Sequence, residues 1–351
     1  MIDFNLTLAR LFCFVSLLLS LGRSAYASSF NASPILIRGT NGKIERALYT
    51  ELGQPRSGLR TAPNDVPTVV LLNGLIYDIN RWNSVAEKLV ENGVQVVRLS
   101  FTAQPESLRL LKKGNEPPFL REGLDLKSMA EDVQRVLQHH GITGPVTVVG
   151  LSYGATVATT FAKLYPQRIH NLVLLSPLVI PLDSYDPSSK QLRDYLEVVR
   201  FWENSPCMAY GWLNPWLCSS TDRWYDAFYN FFYESYLNLR VQKVPPDLDP
   251  MIYKKSVFQL VRAVRDFDLR KEALSLTNFH LVISEKEEIH LKADQLKAWS
   301  LTRPSERKSL AEFKNVVHAL PDEAPTQTAR WIQMITERHE VLQRGDEFII
   351  E

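Results

Sequence analysis

Hydrophobic and polar positions follow two rhythms along this chain, and the changes between them outline its elements. The runs "PILIRG" and "KIERALYTEL" read as strands, and a polar, turn-rich stretch "GQPRSGLRTAPNDVP" follows them. "TVVLLNG", residues 68 to 74, is then continuously apolar up to a glycine. That is the pattern of a strand buried on both faces of a parallel sheet. The helix-like "NRWNSVAEKLVENG" separates it from a second such run, "VQVVRLSF", completing a strand-helix-strand unit. From Thr102 to Gly123 the sequence carries Pro, Gly and charges without periodicity and reads as a long loop. In "DLKSMAEDVQRVLQHHG" the residues Leu126, Met129, Val133, Val136 and Leu137 recur at helical spacing, and Gly141 is placed to end the helix. "PVTVVG", "ATVATTFAKLYP" and "IHNLVLLSP" continue the alternation. Such regularity predicts an α/β fold, a mostly parallel sheet flanked by helices.

The rhythm breaks from about Leu178 to Asn278. That segment holds Trp202, Trp212, Trp216 and Trp224 and the run "WYDAFYNFFYESY", without buried-strand patterns. It reads as a mostly helical insertion, residues 179–278, dividing a core made of 28–178 and 279–351. The core then resumes with the strand "FHLVIS", the helix "KADQLKAWSL", a strand and loop in "SLAEFKNVVHAL", and the closing helix "APTQTARWIQMITERHEVL". The rings of the insertion have two readings: an apolar roof over a pocket, or the insertion's own core.

The amino-terminal end changes the picture of where the chain works. Arg10 precedes an apolar run from Leu11 to Leu21, and Ala25, Tyr26 and Ala27 form a small-residue pattern. This predicts a secretory signal peptide, residues 1–27, cleaved after Ala27, with export to the periplasm or the extracellular space. The run is shorter than the ~20 residues a spanning helix needs, so no transmembrane segment is expected after cleavage. The mature chain then keeps Cys207 and Cys218, which in an oxidising compartment are read as a local disulfide. With 351 residues, 45% of them hydrophobic, the chain is long enough for a sizeable core. Its formal charge of +1, without a basic stripe, argues against nucleic acid as a partner. Neither the cysteine spacing nor the neighbouring histidines suggest a metal site.

Chemistry concentrates at "GLSYG", residues 150 to 154. Ser152 is the middle of a G-x-S-x-G pattern between a predicted strand and a predicted helix, where Gly150 and Gly154 let the backbone turn sharply and the helix pack close. A serine so placed is a candidate nucleophile, and the Tyr153 amide, at a helix amino terminus, a candidate oxyanion donor. A serine hydroxyl needs a base. Of seven histidines, His318 is the one that follows the last predicted core strand and precedes the closing helix, the loop position a base requires. The orienting carboxylate is expected in "LVISEKEEIHLK", as Glu287 or alternatively Glu288, with Glu287 preferred. His290, in the same loop, reads as a helix-start or surface residue.

These stretches, together with "TVVLLNGLIYDINRW", resemble the alpha/beta-hydrolase superfamily from about Ile35 to the final helix. The resemblance implies a sheet of about eight mostly parallel strands, with a helical cap inserted after "IHNLVLLSP". It also implies that the amide of Leu75 is the second oxyanion donor beside Tyr153. The chain departs from the family pattern in having Asn73 before Gly74 where His is frequent, and "RLSFTAQPES" where an Asp and a glycine-rich turn are frequent. The expected function is that of an exported serine hydrolase cleaving a carboxylic ester through an acyl-enzyme. Its partner would be a small molecule with an apolar acyl group; no cofactor is needed, and no feature specifies an oligomeric state. The same three residues also serve amide, thioester and lactone cleavage, acyl transfer and perhydrolysis. A non-catalytic binding protein that keeps the fold is the reading from another class.

Overall fold

The computed structural model describes residues 30–40, 42, 44–55, 66–111, 116–181, 194, 196–198, 215–234, 244–272, 278–287, 289–290, 292–301, 308–337 and 346–350, with the backbone alone at 215–221 and 346–350. Its strands are β1 Phe30–Ala32, β2 Ile35–Arg38, β3 Ile44–Gly53, β4 Thr68–Leu72, β5 Gln95–Ser100, β6 Val146–Leu151, β7 Ile169–Leu175, β8 Phe279–Lys286, β9 Lys308–Val317 and β10 Asp346–Ile350. They form one ten-stranded sheet in the order β1-β3-β5-β4-β6-β7-β8-β9-β10, with β2 paired to β3. From β5 to β10 along that order every pairing is parallel; β1, β2 and β5 meet β3 antiparallel.

Successive residues of a strand point to opposite faces, and the central strands bury both. Val70 and Leu72 of β4, with Leu172 and Leu174 of β7, face a layer containing helices α2 Leu126–His139 and α3 Tyr153–Leu164. Val69, Leu71, Val173 and Leu175 face the opposite layer, with α1 Asn83–Glu91 and the closing helix Pro325–Glu337. Each such side chain contributes on the order of 1.5–3 kcal/mol by leaving water. Helix α2 starts where Asp125 accepts the Ser128 amide at 2.8 Å and ends at Gly141, whose φ of +68° suits glycine.

Two short helical turns, Pro105–Arg109 and Phe119–Glu122, lie in the stretch read as loop. Neither is long enough to show a 3.6-residue period. The sheet has ten strands where about eight were expected, because the first short strand and β10 add to its edges. The closing helix is described over Pro325–Glu337, the rest of its expected span to Leu342 lies outside the described residues, and β10 pairs as a parallel edge strand on β9. Within 179–278 the described segments include helices α4 Pro215–Phe232 and α5 Pro250–Ala263. Phe258 packs edge-on against Tyr225 and Phe228, and Tyr229 against Tyr253, all buried in the core cluster shared with α2 and α3. These rings are therefore core. The expected leader, Cys207 and the side chain of Cys218 lie outside the described residues. Among the described residues no helix is long and apolar enough to cross a membrane.

Helix α3 begins directly against the end of β4. A Cβ on Gly154 would meet the Leu72 carbonyl oxygen and lie 2.6 Å from that of Asn73; one on Gly150 would lie 2.6 Å from the Ala155 Cα. The obstacles are backbone atoms, so no side chain can rotate away. Gly154→Ala is expected to lower the unfolding free energy by about 3 kcal/mol, at the upper end of overpacking costs. Urea titration of the two proteins measures this.

Candidate active site

Strand register brings a carboxylate and an imidazole together. Ser284 of β8 pairs with Phe313 of β9, but two residues on Lys286 pairs with Val317, so β9 takes up two extra residues in an irregularity. Asn315 occupies it with φ +58°, a conformation that Asn tolerates better than most residues, and its amide donates to Glu285 Oε2 at 2.8 Å. Without the irregularity Glu287 would face Val316. With it, Glu287 faces His318. Glu287 Oε1 accepts from His318 Nδ1 at 2.8 Å, from the Ile289 amide at 3.0 Å and from the His290 amide at 3.2 Å. Burial alone would raise the Glu287 pKa, but the positive charge and hydrogen bond of His318 outweigh it, with help from His290 and the Ile289 amide, and hold the carboxyl at about 2. Glu288, the alternative acid, lies outside the described residues.

Ser152 stands at the turn from β6 into α3 with φ +50° and ψ −111°. Such a conformation costs a non-glycine residue roughly 1–3 kcal/mol. Its amide donates to the Leu175 carbonyl at 2.9 Å, and its own carbonyl accepts from the Ala155 amide at 3.0 Å, which pins the turn to the end of β7. Ser176, the next residue, shares a hydrogen bond of 2.9 Å with Ser284, whose hydroxyl donates to the Val317 carbonyl at 2.9 Å. Small polar side chains thus tie the carboxyl ends of β7, β8 and β9 together beneath Ser152, Glu287 and His318.

The side chain in hydrogen-bond contact with the serine hydroxyl is one the sequence reading passed over. His290 is buried, and its Nε2 lies 3.5 Å from Ser152 Oγ. Its ring stands edge-on to His318 with centroids 5.1 Å apart. It does precede a helix, Lys292–Leu301, yet its ring turns inward. Burial, then the neighbouring His318, push its pKa down to about 3 against the pull of Glu287. The available signal was its place three residues after Glu287, where a chain leaving the sheet edge can fold back on it.

Leu75 and Tyr153 sit where the oxyanion donors were expected, after β4 and at the first position of α3. Among the described residues neither amide donates to another group. The Leu75 loop is held from the segment "TAQPES": Gln104 Nε2 donates to the carbonyls of Gly74 at 2.7 Å and Leu75 at 3.2 Å, while its Oε1 accepts from the Phe101 amide at 2.8 Å. Glu106 Oε1 accepts from the Ile79 amide at 3.1 Å. Asn73 donates to the Tyr77 carbonyl at 3.3 Å. The departures from the family pattern thus form the support of this loop. Among the described residues no group of three His, Cys, Asp or Glu side chains is placed to hold a metal ion.

A strand-turn-helix serine at the carboxyl edge of a parallel sheet, facing a carboxylate and an imidazole on the next loops, defines an alpha/beta hydrolase fold. The family model described as alpha/beta hydrolase fold matches residues 67–205, and the chain has that fold. A cis-3-alkyl-4-alkyloxetan-2-one decarboxylase of Xanthomonas campestris pv. campestris is 27% identical over 142 residues, 40% of this chain and 46% of that protein. The chain thus matches less than half the length of that relative. A thermophilic esterase from Thermogutta terrifontis superposes with a TM-score of 0.56 at 17% identity, covering 87% of this chain and 99% of its own. A bromoperoxidase from Bacillus anthracis gives 0.56 at 16%, covering 88% and 100%. At these identities the likeness is one of fold.

Glu106 offers a test of the loop support. It is buried, and desolvation, reinforced by Asp78, raises its carboxyl from 4.5 to about 7. Because the folded pKa lies above the unfolded one, stability from this group is fully present below about pH 4.5 and is lost as pH rises through 7. Glu106→Gln keeps the acceptor for the Ile79 amide and removes the titration. The variant is expected to match the wild type near pH 4 and to exceed its unfolding free energy by about 1–3 kcal/mol at pH 8, measured by urea titration at both values.

Proposed function

We propose that this protein is an exported serine hydrolase that cleaves a carboxylic ester through an acyl-enzyme. The observation that carries this reading is the buried Glu287–His318 hydrogen bond of 2.8 Å, set at the sheet edge beside a serine held at positive φ. Glu287 keeps the His318 proton on Nδ1 and leaves Nε2 as the base. Once its Oγ has rotated to His318, Ser152 attacks the ester carbonyl while Nε2 takes its proton. The carbonyl electrons move onto an oxyanion stabilised by the amides of Leu75 and Tyr153. Collapse of that intermediate breaks the bond to the alcohol, which leaves with the proton from His318. Water, deprotonated by the same nitrogen, then attacks the acyl-enzyme, and the acid departs as Ser152 regains its proton. Export rests on the leader pattern of residues 1–27.

A cyclic ester suits the same steps, since ring opening leaves the alcohol tethered to the acyl group. The relative that acts on an oxetan-2-one, a four-membered cyclic ester, favours including such compounds in a substrate screen.

Labelling by a fluorophosphonate probe and hydrolysis of p-nitrophenyl esters of graded chain length test the reading. The wild type is expected to label and turn over. Ser152→Ala and His318→Ala should lose labelling and at least ~10⁴-fold in kcat. A folded wild type that neither labels nor hydrolyses any ester would favour a non-catalytic binding protein instead.

A further inference from the structure

Two imidazoles pack edge-on at the site, and the mechanism above uses one of them. Among the described residues, the side chain hydrogen-bonded to Ser152 Oγ is His290, through Nε2 at 3.5 Å; His318 makes its bond to Glu287 and none to the serine. The two rings depend on one carboxylate in different ways. His318 offers Glu287 its Nδ1, whereas His290 offers its backbone amide. The edge-on packing holds the two rings 5.1 Å apart, centroid to centroid, with His290 the one that reaches the serine hydroxyl.

Resting on the serine-hydrolase reading, we propose that His290 is the resting partner of the nucleophile. In the substrate-free protein it accepts the Ser152 hydroxyl proton in a hydrogen bond at Nε2, with its own proton on Nδ1. It releases the hydroxyl to His318 when the oxygen turns about χ1. No bond to hydrogen breaks in this exchange; one acceptor replaces another. His290 does not replace His318 as base, because burial disfavours the imidazolium that proton transfer would create, and this ring is held neutral well below its ordinary range. Its bond to Glu287 is made by the backbone amide, whereas that of His318 is made by the ring that would carry the charge. The consequence is a serine restrained in the absence of substrate: a productive encounter must first break the hydrogen bond to His290.

The test compares the second-order rate of fluorophosphonate labelling for the wild type, His290→Phe and His290→Ala, with thermal unfolding to confirm that each variant is folded. Removing the competing acceptor should accelerate labelling about fivefold, the worth of one net neutral hydrogen bond. Labelling of the variants should still vanish on adding His318→Ala. Folded variants that label at the wild-type rate would overturn the proposal, and so would variants that fail to label, which would make His290 the base.

A second readout needs no activity. Imidazole ¹⁵N shifts of the wild type should show His290 protonated at Nδ1, with an Nε2 signal that moves in Ser152→Ala. A His290 protonated at Nε2 would sink the proposal even if the protein labels. A protein that does not label would defeat the hydrolase reading and leave this measurement to judge the contact by itself.

Discussion

The first turn of helix α3 lies directly on the carbonyl end of β4, and the site is assembled around that backbone contact. Glycine at 154 is the only residue whose lack of a Cβ leaves room for the Leu72 and Asn73 carbonyl oxygens. The approach brings Tyr153, at the helix start, beside the loop that carries Leu75. It also forces the sharp turn at Ser152, whose strained φ is maintained by its bonds to Leu175 and Ala155 on either side. Local strain is tolerated here because the surrounding hydrophobic layers, buried on both faces of β4, β6 and β7, leave the backbone no alternative path.

A second constraint comes from the far side of the site. The irregular register of β9 advances His318 by two positions and sets it opposite Glu287. A carboxylate so deeply buried would ordinarily take up a proton. Three donors converge on one of its oxygens, and that satisfaction keeps it ionised. The arrangement is costly to leave half made, so Glu287, His318 and the backbone of 289 and 290 behave as one unit.

What the sequence made legible followed from local rules. The buried runs "TVVLL" and "VTVVGL" state their period directly, and the glycines around Ser152 announce a turn with no room for a Cβ. The position of His318 after the last core strand was also local information. The choice between Glu287 and Glu288 was not, because it depends on which residue of a neighbouring strand lies opposite, and two residues absorbed near Asn315 decide that. The direction of the His290 ring depends in turn on Glu287: the amide of His290 bonds to that carboxylate three residues earlier, which itself is placed by the register of β9. The segment "TAQPES" looked featureless since its helical turn is short, while its work is done by single side chains reaching back to the loop after β4. Strand β10 joins the sheet by pairing with β9 beyond the closing helix, a long-range contact that periodicity does not encode.

The contrast between the two imidazoles follows from that same geometry. Both rings are buried and both residues bond to Glu287, so proximity to the acid alone would not assign them the roles proposed above. The distinction lies in which atom of each residue meets the carboxylate. A side-chain N–H on Glu287 lets the ring gain a proton on its other nitrogen and keep a bonded counter-charge; a backbone N–H on the same oxygen fixes the residue and leaves its ring only the through-space pull of the carboxylate, which burial outweighs. One carboxylate can therefore support an imidazole that changes charge and position another that stays neutral. Their different contacts require no difference in residue type, only the two extra residues in β9 that turn His318, rather than Val316, toward the acid.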